Sequence, residues 1–365
     1  MEKIGAEVLY QIIENFIAGG EVLSIEPLNQ GLVNDSFLIK TNLGTYILQR
    51  LNSEAFKAPL ALMENIVRFQ KLPVPKDYSG PSFIKSMAGD YLLKDPTESL
   101  WRIQTYIPGT VAYDLAPNLK IAEEAGRLLS GFHLILKDTH TEDYHNSIPG
   151  FQDMSLRLDQ FEWAFKKADA SLIKTAEKAL NIIKKLRYFI SKLPQEIPIR
   201  LCHNDTKLNN MLFNRSTQKG SCLIDLDTLM PGYAFYDFGD TLRCIANTAK
   251  EGDTSTAVYF REDYALAFIK GLSQTKGVYT KSEWKSFAFI AILLYSVQPL
   301  IAQQYAGLSI DNDLFFGKDY YYSSGIFLKY GHKKNENEKT KSIHWTLGQE
   351  IYTPIARYDS MTTNM

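Results

Sequence analysis

His203, Asp205, Lys207 and Asn210 fall within eight consecutive positions of "LCHNDTKLNNMLFN", with Leu201 before them and Met211, Leu212 and Phe213 after. A polar loop bracketed by apolar residues reads as one held between buried strands, and loops fixed in this way tend to carry chemistry. Further on, "CLIDLDTLMPG" ends an apolar strand in Asp225 and Asp227. The two segments read H-x-D-x-x-x-x-N and then strand-D-x-D. Such a set suits phosphoryl transfer from a nucleotide. One carboxylate accepts or orients the proton of an attacking hydroxyl, while an amide and a second carboxylate hold magnesium on the phosphates. Magnesium takes hard oxygen ligands and needs few from the protein, because water and phosphate complete its shell. Asp205 is the expected base, and Asn210 and Asp225 are the expected metal ligands. Lys207, between them, would neutralise charge on the transferred group.

A bland reading competes with this one, since Asp and Asn also favour turns. The joint spacing weighs against it. His203 alone reads as a residue packed behind the loop. Asp227 divides evenly between a metal-shell and a surface role. His133, in "GFHLIL", reads as a satisfied interior histidine, and Asp240 with Arg243 as a structural ion pair.

The elements that must position these residues follow from periodicity. Ile4, Val8, Ile12 and Phe16 recur at helical spacing over residues 4–18, and Gly19-Gly20 ends the helix. "EVLSIEPLNQGLVNDSFLIKTNLGTYILQRLN" alternates as antiparallel strands around the turn "TNLG". A helix is expected over 58–72. "PSFIKSMAGDYLLKD" and "LWRIQTYIPGT" read as two more strands, the second ending in a Pro-Gly breaker. From residue 118 the pattern turns helical, with Ile121, Ala125, Leu128, Leu129 and Phe132 on one face. Residues 155–193 and 255–305 are helical too, around a β-rich insert at 199–226 that holds the polar loop. The expectation is an α+β chain with a small strand-rich N-terminal lobe (1–107), a linker near 105–117, a larger mainly helical lobe (108–330), and a charged tail (331–365) whose stretch "GHKKNENEKTKSIH" reads as solvated or disordered.

Bulk properties set limits. A chain of 365 residues suits one large or two medium domains. With 40 Lys plus Arg against 41 Asp plus Glu, no overall charge favours nucleic acid or an anionic membrane as partner. Three cysteines without metal spacing read as reduced thiols. The N-terminal stretch lacks the basic and apolar regions of a signal peptide, and "FAFIAILLYSV" is shorter than the roughly 20 residues of a membrane span. These features predict a cytoplasmic protein; a small-molecule partner and a monomeric or weakly dimeric state are further expectations that composition does not itself supply.

The words "HNDTKLNNMLF", "IDLDTLMPG", "YDFGD", "YILQRLN" and "WRIQTYI" resemble the aminoglycoside phosphotransferase and choline kinase superfamily, which is protein-kinase-like and two-lobed. Within it they are most similar to the N-acetylhexosamine 1-kinase group, over residues 5 to about 295. The resemblance implies ATP and magnesium as cofactors and transfer to the anomeric hydroxyl of N-acetylglucosamine or N-acetylgalactosamine. It makes Asp205 the base, Asn210 and Asp225 the magnesium ligands, His203 the loop-orienting histidine, Asp227 a second metal or outer-shell group, and Asp237 the brace of the catalytic loop. Thr105, Tyr106 and Ile107 fall where a hinge would meet adenine, and Gly31 and Asn34 in the loop that covers the phosphates.

Three features depart from the pattern. The phosphate loop lacks G-x-G-x-x-G. The strand lysine that usually holds the phosphates is replaced by Gln49 beside Arg50, only one of which can face the nucleotide. Leu32 and Pro299 stand where the sugar-kinase group has a histidine and an arginine. A kinase of choline, an amino alcohol or an aminoglycoside, and a nucleotide-binding pseudokinase, are therefore the alternatives.

Overall fold

The computed structural model describes residues 5–28, 33–190, 196–250, 259–301, 305–311, 325–331 and 345–347. The chain opens with α1 (Ala6–Phe16), whose Leu9, Ile12, Ile13 and Phe16 form one buried stripe. That stripe packs on an antiparallel sheet of β1 (Val22–Leu28), β2 (Asp35–Thr41) and β3 (Gly44–Arg50). After α2 (Pro59–Gln70) the sheet is completed by β4 (Phe83–Ile84), β5 (Leu93–Lys94) and β6 (Leu100–Thr105), in the order β1-β2-β3-β6-β4 with β5 also on β6. Ile39, Leu48, Trp101 and Ile103 point from the sheet toward α1 and make a small core of their own. Side chains alternate along a strand, so Gln49 and Arg102, registered opposite each other, point to the other face.

The second and larger core is shared. Leu62, Met63, Ile66 and Phe69 of α2 pack into it from the small lobe. The large lobe runs through β7 (Thr110–Val111), α3 (Leu119–Ile135), α4 (Met154–Lys167), α5 (Ala170–Thr175), α6 (Glu177–Ile190), β8 (Arg200–Cys202), β9 (Met211–Asn214), β10 (Gly220–Leu223), β11 (Met230–Gly232), α7 (Ala234–Ile245), α8 (Glu262–Leu272) and α9 (Lys281–Ile301), of which α3, β8, β9, β10, α7, α8 and α9 send buried apolar residues into this core. α3 and α8 cross closely enough that a Cβ on Gly126 would lie 2.0 Å from the Phe268 carbonyl oxygen. Beyond them β12 (Tyr305–Asp311), β13 (Gly325–Gly331) and β14 (Trp345–Leu347) pair antiparallel.

The two-lobed α+β architecture is the one expected, and the differences are local. "PSFIKSMAGDYLLKD" is not one strand. The Ser86 amide bonds the Asp90 carbonyl at 2.8 Å and Gly89 takes a φ of +92°, so the chain turns and both flanks pair with β6. Residues 155–193 hold three helices, because Asp169 accepts from the Ser171 and Leu172 amides and starts α5 afresh. The span 255–305 breaks between α8 and α9, where Thr280 and Glu283 bond each other's backbone amides in a capping box. The linker near 105–117 contains β7, which pairs with β9 of the large lobe. Gly31, Leu32 and the stretch 332–344 lie outside the described residues, and Pro299 lies in the last turn of α9.

Candidate active site

The polar loop joins β8 to β9, two strands whose apolar residues are buried: Leu201, Cys202, Met211 and Phe213. Asp237, in the first turn of α7 and fully buried, holds the loop from behind. Its carboxylate accepts the backbone amides of His203 at 3.0 Å and Asn204 at 2.7 Å. It also meets His133 Nε2 at 2.8 Å, while His133 Nδ1 lies 2.8 Å from the Tyr279 hydroxyl. Burial raises the Tyr279 pKa well above that of a free phenol, so the hydroxyl keeps its proton, and the His133 Nε2–H donates to the carboxylate. Cys202 completes a buried cluster of possible metal ligands with His133 and Asp237. Burial raises its thiol pKa strongly, and Asp237 is engaged by three donors, so the cluster is a hydrogen-bonded brace.

His203 is fully buried. Its Nε2–H donates to the Ile224 carbonyl at 2.9 Å and its Nδ1 accepts the Asp205 amide at 3.3 Å. Both bonds suit neutral imidazole, and burial lowers its pKa in the same direction. The bend at Asn204 requires a φ of +64°. Asn204 stabilises it by donating to the carbonyls of Cys202, Thr228 and Met230. A side chain at Gly232 would strike that amide, with a Cβ 2.5 Å from Asn204 Oδ1. Thr206 donates to the Asp237 carbonyl at 2.7 Å, closing the loop onto α7.

On the open side, Asn210 Nδ2 donates to the Asp205 carboxylate at 2.9 Å and to the Asp205 carbonyl at 3.0 Å. Lys207 Nζ lies 3.5 Å from Asp205 Oδ1. The Ile224 amide donates to the Asn210 carbonyl at 2.9 Å, which brings Asp225 beside Asn210. Asp225 is exposed and has a left-handed backbone, with φ 61° and ψ 59°. With the Asn210 amide nitrogen committed to Asp205, its Oδ1 is an oxygen donor of the hard kind that magnesium takes, as is the Asp225 carboxylate. Asp205, Lys207 and Asn210 are thus brought together, Asp225 follows one residue after the Ile224 amide bonded to Asn210, and His203 lies buried behind.

The small lobe contributes a face of its own. Arg50 points toward α1, where its Nε donates to Asp35 at 2.7 Å and its guanidinium lies over Trp101. Gln49 points the other way, its Oε1 accepting from Arg102 Nε at 3.0 Å. Asp227 faces neither solvent nor Asp225's open side. It is buried against Arg102, 2.7 Å from Nη1, and accepts from Asn34 Nδ2 at 2.9 Å. At the hinge, the Thr105 amide donates to Ser82 and the Tyr106 amide to Thr45, while the Ile107 carbonyl accepts from Thr110. Asp240 and Arg243 form an ion pair at 2.8 Å.

The residue that sequence reading passed over is Arg102. Its signal was an arginine alternating with Trp101 and Ile103, which assigns a charge to the strand face opposite the apolar one.

A homoserine kinase from Zymomonas mobilis subsp. mobilis is 24% identical over 297 residues, covering 80% of this chain and 83% of the relative. Among solved structures, a microcompartment-associated aminopropanol kinase matches with a TM-score of 0.55 at 15% identity, over 82% of this chain and 89% of that one. A spectinomycin phosphotransferase in complex with ADP and spectinomycin matches at 0.51 and 12% identity, over 82% and 88%. These likenesses carry the two-lobed kinase-like fold. Residues 287–365, from within α9 onward, match a different family model, that of outer membrane protein LpxR. Among the described residues, no helix is long and apolar enough to cross a membrane. Residues 24–273, which span the sheet, the hinge and the whole polar loop, match the model of the phosphotransferase enzyme family APH, and the chain belongs to that family of small-molecule phosphotransferases.

Proposed function

We propose that the chain transfers the terminal phosphoryl group of ATP to a hydroxyl of a small polar acceptor, with Asp205 as the base. The observation that carries this reading is the Asp205 carboxylate, buried yet oriented by Asn210 and flanked by Lys207, one hydrogen-bonded step from Asp225. The acceptor hydroxyl gives its proton to Asp205, whose geometry is set before substrate arrives. Lys207 draws off charge that builds on the transferred group. Asn210 Oδ1 and Asp225 would hold magnesium, which supplies charge neutralisation on the phosphates. Asp227 braces the turn that carries Asp225. Thr105, Tyr106 and Ile107 meet the adenine, with the Ile107 amide as the donor because its two neighbours serve the sheet. Asn34, with Gly31, belongs to the segment over the phosphates.

For the acceptor, the motif words favour the anomeric hydroxyl of an N-acetylhexosamine. A second reading, an amino alcohol such as homoserine, is favoured by the 24% identical relative. The test is ADP release from magnesium-ATP with N-acetylglucosamine, N-acetylgalactosamine, glucose, homoserine, choline and an aminoglycoside, the product position being read by phosphorus NMR. Anomeric phosphorylation of the hexosamines supports the first reading. Turnover with homoserine alone replaces it with the second. ADP release with none of them sinks the kinase assignment and leaves a nucleotide-binding pseudokinase.

A further inference from the structure

Arg102 is 1% exposed, yet it sits at the junction of the two lobes and the phosphoryl-transfer chemistry makes no direct use of it. Its Nη2 donates to one Asp227 carboxylate oxygen at 2.9 Å, and Nη1, which donates to Met63 Sδ at 3.6 Å, lies 2.7 Å from the other oxygen as an ion pair. Nε donates to Gln49 and the guanidinium lies over the Phe83 ring, 5.0 Å from its centroid. Gln49 in turn donates to the Ser36 hydroxyl at 3.3 Å. Asp227 also accepts from Asn34, whose own carbonyl oxygen accepts the Asn52 amide at 3.0 Å. One carboxylate of the large lobe is therefore gripped by β6 directly, by β3 through Gln49, and by the segment leading into β2.

Stability does not explain this arrangement. A buried arginine–carboxylate pair costs as much in desolvation as it returns, and apolar residues of equal volume often do as well. What the arginine does supply is direction, because the donors of a planar guanidinium leave at fixed angles, and here they are shared among Asp227, Gln49 and Met63. The direction is passed on within two residues. Asp227 lies in the 3-10 turn Leu226–Thr228 that follows Asp225, whose left-handed backbone leaves little freedom. The far end of that turn is tied to the catalytic loop, Thr228 donating to the His203 carbonyl at 2.6 Å. The near end is tied to the small lobe by Arg102.

We propose that Arg102 is a positioning residue for the metal–nucleotide site. Through Asp227 it sets the turn bearing Asp225 in register with the small lobe. The cation missing from position 49 is present one strand away, and it serves as a strut between lobes rather than as a phosphate ligand, since its donors are directed at Asp227, Gln49 and Met63. The inference rests on the reading of Asp225 as a metal ligand.

The test titrates the full-length chain with ADP, with and without magnesium, and records the melting temperature of each variant without nucleotide. Arg102→Lys keeps the charge and loses the planar set of donors. The pair Arg102→Met with Asp227→Leu removes both charges together and so avoids leaving one buried alone. Both are expected to bind magnesium-ADP about 10–100-fold more weakly, the range found when residues behind a metal ligand are removed. Affinity for metal-free ADP is expected to stay within about twofold of wild type over the same comparison. A folded double variant with wild-type magnesium-ADP affinity overturns the proposal. So does an equal loss with and without magnesium in Arg102→Lys, because a purely structural arginine predicts that. A wild-type chain whose ADP affinity ignores magnesium overturns the metal-site reading itself, and the strut with it.

Discussion

Asp237 and Asp227 are both buried carboxylates on the two sides of the same catalytic segment, and they are held by different kinds of partner. Asp237 is served by backbone amides of the loop it supports and by His133 from α3, all inside the large lobe. Asp227 is served by the side chains of Arg102 and Asn34, both from the small lobe. Backbone donors cannot be withdrawn without unfolding the loop, so the first brace is part of the fold. Side-chain donors on another lobe can separate while each lobe stays folded, so the second governs how the lobes meet. The molecule keeps loop shape and lobe register in separate networks, joined through Thr228.

The sharpest reference for that contrast is Asp205→Asn, which lies between the braces and belongs to neither. Turnover is expected to fall about 10²–10⁴-fold, the usual worth of a positioned base. Melting temperature and magnesium-nucleotide affinity should stay close to wild type. Near-normal turnover would remove Asp205 from the chemistry.

Asp237→Ala breaks the inner brace. It strands two amides and His133, and is expected to cost on the order of 3–5 kcal/mol in urea unfolding. A loss below about 1 kcal/mol would show that the loop holds its shape unaided.

Next in size is a pH effect at the loop. Burial keeps the His203 pKa below the ordinary 6.5, so the unfolded chain takes up a proton that the native chain refuses. The contribution is complete above about pH 6.5 and is lost as pH falls through the window down to the folded value, at no more than about 1.4 kcal/mol per pH unit. Urea midpoints between pH 7.5 and 5.5 should fall less steeply in His203→Gln. Parallel profiles would assign the acid sensitivity elsewhere.

The smallest effect is expected at Arg50, the charged neighbour of Gln49. Its pair with Asp35 is partly exposed, so Arg50→Met should cost under about 1 kcal/mol. Magnesium-ADP affinity should not move, in contrast to Arg102→Lys.

Much of this was legible in the chain itself. The polar loop stood out as a candidate site because such residue types at tight spacing between apolar strands have few structural uses. The sheet, α1, α2 and α3 followed from alternation and helical spacing. Turns that interrupt a pattern were harder. The hairpin at Ser86–Asp90 and the restart at Asp169 depend on one glycine or one cap, which local periodicity averages away. Pro299 lies in the stretch from residue 287 on, which matches a second family model.

By itself the sequence determined which residues form the polar loop, because their order and spacing are local properties of the chain. It also determined that Gln49 and Arg50 face opposite ways, since a strand alternates. Which of two adjacent charges matters, and that Asp227 points at the small lobe, only the tertiary structure decided. Arg102 and Asp227 are 125 residues apart, and no local rule pairs them. Two buried charges meet only when separately folded elements bring them together, and the desolvation cost of burying either alone then makes each the required partner of the other.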